Sequence, residues 1–302
     1  MLERMNVINT RDLQYFVTLV RLKNYTQVAN YFNVSQPSIT QAIRRLEQEF
    51  DTKLVRKDRV HRDEMITRSG QLLYQKALAI NEKIDIAHDE IIRANQKPIL
   101  FGLPPIIGRM YISNIVSKFS KDLLQQIKMI SVGSHDLFNQ LEHGKIDIAM
   151  LGSTTPISQP GMFAELIATR PFGIVVSKDH PLAKRKVVAF SELKDELFIN
   201  YDQQYIHRAA FQAYCTYARI KPRVATYKLP NISWVKELIR QNKGIGLMVK
   251  DAVKDEEGIV VLDISDAIPE RFYISIVTRD DYVLSPREEK LIAQLKAITA
   301  RT

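Results

Sequence analysis

A chain of 302 residues with ordinary apolar content is too long for one small core and calls for two or more domains. Its single cysteine, Cys215, excludes an intramolecular disulfide and a cysteine zinc cluster, and no apolar run is long enough to span a bilayer. The formal charge of +9 favours a polyanionic partner, and the opening MLERMNVINTRD has no hydrophobic signal core, so a soluble cytoplasmic protein with no membrane partner is expected.

Leu13, Phe16, Val17 and Val20 place a helix over Thr10–Lys23. The stretch Tyr25–Glu47, YTQVANYFNVSQPSITQAIRRLE, reads as two further helices joined by a tight turn at Asn33 and Val34. Thr26 is the expected N-cap of the first, with Val28, Ala29 and Phe32 on its apolar face. Ser35 caps the second, and Pro37 sits in its first turn, where a missing N–H costs little. Ile39, Ile43, Leu46 and Phe50 then recur on one side of that helix. Pro37, Gln41, Arg44, Arg45 and Gln48 fall on the other, with no acid among them. A buried stripe backed by a polar, cationic face suits a helix lying in a DNA major groove. An ordinary surface helix pair is the blander alternative.

The run Lys53–Arg62, KLVRKDRVHR, follows this helix with five Lys or Arg against one acid, Asp58. Short strands at Lys53–Val55 and Glu64–Ile66 would make it a wing, its cations Lys53, Arg56, Lys57 and Arg59 resting on phosphate. Residues 1–66 are therefore expected to form a winged helix-turn-helix domain. From Thr67 to Asn95, Leu73, Ala77, Ile80, Ile84, Ala87, Ile91 and Ala94 keep a 3.5-residue repeat, which predicts a coiled-coil seam in a linker and dimerisation helix over 67–97. A seam needs a second copy. A homodimer or homotetramer would present paired recognition helices to a pseudo-palindromic site in double-stranded DNA.

Beyond Pro98 strands and helices alternate. Strands are expected at Ile99–Leu103, Ile127–Val132, Ile146–Leu151, Phe172–Ser177, Leu197–Tyr201, Val224–Leu229, Ile245–Val249, Ile259–Leu262 and Tyr273–Thr278. Helices are expected at Ile106–Ser120, His135–His143, Gln204–Arg219, Ile232–Asn242 and Pro286–Thr299. This pattern means α/β sheets with helix-covered faces, long enough for two lobes. Lobe I is assigned to 98–167 and 271–302 and lobe II to 168–270, with crossovers near Ile167–Pro171 and Ile268–Phe272.

The order of parts resembles the LysR-type transcriptional regulators over the whole chain. The resemblance rests on Leu13-Gln-Tyr-Phe16, Thr26-Gln-Val-Ala-Asn30 and Val34-Ser-Gln-Pro-Ser-Ile-Thr-Gln-Ala-Ile-Arg-Arg-Leu-Glu47. Further support comes from Thr67-Arg-Ser-Gly70, Leu141-Glu-His-Gly-Lys-Ile-Asp-Ile-Ala149, Asp179-His-Pro-Leu182 and Gly244-Ile-Gly246. More narrowly, the N-terminal third is similar to regulators of malolactic fermentation. The resemblance implies a winged helix-turn-helix, a long linker helix and a two-lobed α/β domain like a periplasmic binding protein, in a regulator of a metabolic operon. It places base reading on Gln36, Pro37, Thr40 and Gln41 within the Ser35–Gln41 segment that also holds Ser38, and phosphate contacts on Arg44 and Arg45. The chain departs from the family at Phe50-Asp51, where a Leu-Gly is usual, at Leu54-Val55, and at Val249, where a proline is frequent.

The same resemblance implies a small effector between the lobes, and strand ends of an open α/β sheet are where a ligand sits. The candidates are Pro104, Pro105 and Ile106, then Ser134, then Ser153 and Thr154, then Tyr201, Asp202 and Gln203 with His207, and finally Asn231 and Ser233. Helix starts bearing Ser and Asn favour an anion, so a small carboxylate is the expected effector, to which His207 could add charge. RNA polymerase is a further candidate partner. No Gly-x-Ser-x-Gly elbow, P-loop or His-Glu-x-x-His is present, so neither catalysis nor a metal nor a cofactor is expected. The competing reading is a solute-binding or enzymatic α/β protein with an incidental helical N-terminus.

Overall fold

The computed structural model describes residues 8–57, 64–94, 98–200, 206–227, 232–254, 256–268 and 271–299. They form two compact units, Met1–Arg93 and Ala94–Thr302.

In the first unit, α1 (Thr10–Leu22), α2 (Tyr25–Tyr31) and α3 (Gln36–Glu49) enclose a core of Leu13, Phe16, Leu19, Val28, Ile39, Ile43 and Leu46. Thr26 is not the cap of α2. Lys23 turns left-handed, with φ of 51°, so the helix starts earlier and Asn24 Oδ1 accepts from the Gln27 N–H at 3.0 Å. Ser35 caps α3 as expected, accepting from the Ser38 N–H at 3.3 Å. Phe50 leaves the buried stripe because α3 ends at Glu49. It becomes the C-cap and is exposed, and Asp51 turns the chain with φ of 46°, a left-handed position that Asp tolerates.

The wing pairs β1 (Val55–Lys57) with β2 (Glu64–Ile66), antiparallel, Val55 opposite Ile66. β1 starts two residues later than expected because Leu54 is held elsewhere. Its N–H donates to Glu47 Oε1 at 3.0 Å and its carbonyl accepts from the Thr67 N–H at 3.0 Å. Arg59 lies outside the described residues. Thr67 Oγ1 donates to the Lys53 carbonyl at 2.7 Å and accepts from the Gly70 N–H at 3.0 Å, which splices the wing to α4 (Arg68–Ala94). Gly70 is required by close approach, since a Cβ there would lie 2.3 Å from the Leu54 carbonyl oxygen.

The expected seam on α4 divides. Leu73 and Ala77, with Tyr74 and Leu78, pack into the three-helix core of their own unit. Ile80, Ile84, Ala87 and Ile91 are exposed. The first two positions are spent within the chain because the wing splice lays the start of α4 against that core.

The second unit begins with β3 (Ile99–Gly102), α5 (Pro105–Lys118), α6 (Lys121–Gln125), β4 (Ile127–Ile130), α7 (Ser134–Glu142), β5 (Ile148–Ser153) and β6 (Met162–Arg170). It continues through β7 (Phe172–Ser177), β8 (Val187–Val188), β9 (Leu197–Asn200), α8 (Ile206–Ala218), β10 (Arg223–Thr226), α9 (Ile232–Arg240), β11 (Gly246–Val249) and β12 (Ile259–Ile264). β13 (Phe272–Arg279) and α10 (Pro286–Thr299) complete it. One sheet has the order β4-β3-β5-β13-β6, with β3, β4 and β5 parallel and β13 antiparallel to both its neighbours. The other has the order β11-β7-β12-β8 and meets the β10-β9 pair at the Phe198–Ile245 bridge. The nine-residue β6 is absent from the expected elements. It carries the first sheet to Arg170, so the passage expected near Ile167–Pro171 narrows to Pro171 between β6 and β7.

Because β3 lies between β4 and β5, the crossovers that follow β3 and β4 run to opposite sides. The switch point therefore falls at the carboxyl ends of β3 and β5, where a crevice opens in such sheets.

Candidate nucleic-acid interface and effector cleft

Ser35, Gln36, Pro37, Ser38, Gln41, Arg44 and Arg45 are exposed on one face of α3, and Thr40 is half-buried beside them. Several are set in place locally. Thr40 Oγ1 donates to the Gln36 carbonyl at 3.2 Å and accepts from Gln36 Nε2 at 3.3 Å. The Ser35 and Ser38 hydroxyls lie 2.8 Å apart. A helix face whose polar side chains are already oriented gives up less rotamer freedom when it meets a groove.

The cations differ in standing. Arg45 Nε and a terminal nitrogen donate to the two Asp12 oxygens at 2.8 and 2.6 Å, a bidentate fork on a carboxylate that is 3% exposed. That hydrogen bonding to Asp12 raises the Arg45 pKa above its ordinary value. Lys53 Nζ sits 2.6 Å from Glu47. Arg44 and Arg56 have no ion pair among the described residues. Of Lys57 only the backbone is described. Two shallow grooves run over this surface. One is lined by the cations Arg44, Lys53 and Arg56 together with the acids Glu47 and Asp51. The other joins Asn9, Arg11 and Asp12 of the α1 start to Pro37, Gln41 and Arg45. Asn9, Arg11 and Asp12 escape a reading of the sequence, because an acid in a first helical turn looks like a helix-dipole partner and its mate lies 33 residues away.

At the switch point, Pro104 is the buried N-cap of α5 and Pro105 its first residue, so the first turn offers the N–H groups of Ile106 and Ile107. Ser134 is not a cap. Gly133 takes that position, and Ser134 Oγ accepts from the Gly152 N–H at 3.0 Å, tying α7 to the end of β5. Next to it, Ser153 Oγ is buried with no hydrogen-bond partner among the described residues. Thr154 is half-buried just beyond.

His207 does not supply charge. Its ring packs between Phe172 and Phe272, with centroids at 5.8 and 6.0 Å, and burial lowers its pKa to about 3, which keeps it neutral. Ser233 is exposed on the first turn of α9. Tyr201, Asp202, Gln203 and Asn231 lie outside the described residues.

The chain positions the switch point with ion pairs that no motif announces. Arg109, three residues after Ile106 on α5, pairs with Glu256 from the other sheet's side. Glu256 also takes the buried Lys236 at 2.5 Å and Arg240 at 3.3 Å. Burial, then Arg109 and Arg240, lower the Lys236 pKa to about 8. Arg170 at the end of β6 pairs with Asp251 at 2.7 Å. Among the described residues, no group of three His, Cys, Asp or Glu could hold a metal ion.

The family model for the bacterial regulatory helix-turn-helix protein, lysR family, matches residues 10–71, and that for the LysR substrate binding domain matches residues 93–300. The malolactic fermentation system transcriptional activator of Lactococcus lactis subsp. lactis is 32% identical over 292 residues, 96% of this chain and 99% of that protein. The DNA-binding transcriptional dual regulator OxyR of Escherichia coli is 24% identical over 298 residues, 96% and 95% of the two chains. Among solved structures, full-length BenM aligns with a TM-score of 0.56 at 20% identity over 97% of each chain. The effector binding domain of QuiR in complex with shikimate aligns with a TM-score of 0.59 at 17% identity, covering 68% of this chain and 99% of that one. At these identities the two structures speak to the fold alone.

Proposed function

The chain belongs to the LysR-type family of transcriptional regulators, DNA-binding proteins that sense a small-molecule effector, and from that premise we propose which residues read DNA and what class of effector is sensed. Gln36, Pro37, Thr40 and Gln41 read base edges. A glutamine amide pairs bidentately with adenine, and a proline ring or a threonine methyl contacts a thymine methyl. Arg44, Arg56 and the wing grip phosphate, which supplies affinity without sequence. The exposed positions Ile80, Ile84, Ala87 and Ile91 pair with a second copy, giving a homodimer or a homotetramer on a pseudo-palindromic site, in the cytoplasm and with RNA polymerase as a further partner.

The effector is a small carboxylate held at the switch point. The observation that carries this is the buried hydroxyl of Ser153 at the end of β5, without a hydrogen-bond partner among the described residues, together with the α5 start after β3 and its donors on Ile106 and Ile107. The malolactic fermentation named in one relative supports an organic acid. Hydrogen peroxide, named in other relatives, is less well supported here. A peroxide response through cysteine needs a thiolate, and burial pushes the Cys215 thiol up to about 11. A ligand on the first turn of α5 would act on the Arg109–Glu256 pair one turn away and so bias one arrangement of the two sheets. It must bind the two arrangements unequally to shift them.

Titration calorimetry with L-malate, L-lactate and an uncharged sugar tests the effector. Heat for a carboxylate alone is expected, weakened about fivefold or more by Ser153→Ala through loss of about 1 kcal/mol of hydrogen bonding. No heat for any carboxylate would sink the anion reading. On the DNA side, Gln41→Ala should cost about 1–3 kcal/mol of preference for the upstream region of the protein's own operon over random duplex. An unchanged preference would remove Gln41 from the reading set.

A further inference from the structure

Two arginines stand side by side on the reading helix, and the sequence offers no reason to separate them. The structure separates them. Arg44 has no ion pair among the described residues, whereas the Nε edge of the Arg45 guanidinium is taken by Asp12 and its charge is balanced there. Asp12 is 3% exposed, comes from α1, and sits in the groove that also holds Arg11, Pro37 and Gln41. Leaving that carboxylate would strand a buried charge on a surface meant for a polyanion, so Arg45 is not free to turn to phosphate without leaving Asp12 uncompensated.

We infer that Asp12 is a positioning residue for DNA recognition: it withholds Arg45 from the phosphate backbone, so that Arg44 alone of the pair contributes a phosphate contact. The consequence concerns specificity. A phosphate contact adds the same affinity on every sequence, whereas base edges distinguish them. One fewer phosphate grip beside Gln41 lowers binding to random DNA while the base-reading set stays as it is. The fork also fixes Arg45 one turn beyond Gln41, so that the cation borders the reading face with its charge already balanced by Asp12. This inference rests on the DNA-binding reading and adds to it the division of labour between adjacent cations.

The salt dependence of binding separates these roles, because each phosphate contact contributes about 0.9 to the slope of log K against log salt. The full-length chain and its variants are titrated against a random-sequence duplex at several salt concentrations, with thermal melting run alongside. Arg44→Gln is expected to flatten the slope by about 0.9. The double variant Asp12→Asn with Arg45→Gln, which removes the pair without changing net charge, is expected to keep the wild-type slope. Asp12→Asn alone, which frees Arg45, is expected to steepen it by up to about 0.9 and to tighten binding to random duplex. A double variant as flat as Arg44→Gln would overturn the inference, as would an Asp12→Asn slope that is unchanged or shallower. A wild-type chain with no salt-dependent binding would overturn the DNA reading itself, a failure distinct from the other two.

Discussion

The polar face of α3 and the carboxyl end of β3, proposed to meet DNA and the effector, hold their polar groups differently. On α3 the side chains point outward and are set by neighbours one helical turn away, as Thr40 is by Gln36. At the cleft the polar groups are mostly claimed by the scaffold. Ser134 holds Gly152, and His207 is sealed between two phenylalanines. A surface that meets a long polyanion needs many outward donors. A pocket for a small molecule needs few, and the Ser153 hydroxyl is buried there without a hydrogen-bond partner among the described residues.

The largest expected effect tests whether the two regions stand on separate supports. Gly70→Ala drives a methyl group against the Leu54 carbonyl, a backbone atom that cannot swing aside. It should cost the DNA-binding unit about 2–3 kcal/mol through overpacking, lowering its melting transition while carboxylate heats persist. Loss of both together would show that the two regions share one support.

A smaller effect separates them by pH. A His pKa of about 3 in the fold against about 6.5 in the unfolded chain means that the unfolded state binds the extra proton between those values. Stability is therefore retained above about 6.5 and lost as pH falls towards 3, by about 2 kcal/mol at pH 5. Urea unfolding of the effector unit at pH 7 and 5 should show that loss, and His207→Leu should remove most of it. An equal loss in the variant would mean that other groups carry the acid sensitivity.

The smallest effect divides α4. Leu73→Ala should destabilise its own unit, whereas Ile84→Ala should leave melting alone and raise the dimer dissociation constant about tenfold, a change of about 1.4 kcal/mol. Sedimentation with both variants distinguishes these outcomes. Dissociation by Leu73→Ala without unfolding would return that residue to the seam.

The helices of the first unit were legible because a 3.6-residue period and a cap are local. Ser35, Asn33 and the Ile39–Ile43–Leu46 stripe follow from neighbours within a turn or two. Caps failed by a residue or two where a left-handed residue reset the start, as Lys23 did for Asn24. In the second unit most strands were legible, β6 and β8 excepted, and the roles of their end residues were not. Whether Ser134 faces a ligand or Gly152 depends on a strand 18 residues away. Whether His207 is charged depends on Phe172 and Phe272. The Asp12–Arg45 and Arg109–Glu256 pairs are products of tertiary approach and have no signature in spacing.

The strand order of the first effector sheet also bears on how the protein is made. β13 lies between β5 and β6, but it leaves the ribosome only after the whole of the second sheet. Until then the nine residues of β6 lack their pairing strand and offer a bare edge to any other extended chain. At about 5–20 residues per second, the stretch from β6 to β13 takes about 5–20 s to synthesise, and everything after α4 takes about 10–40 s. The first unit, whose contacts are complete by then, is expected to fold in that interval. Each new molecule is thus a reader before it is a sensor, and its most vulnerable segment during birth is β6, which has no partner in its sheet until β13 arrives.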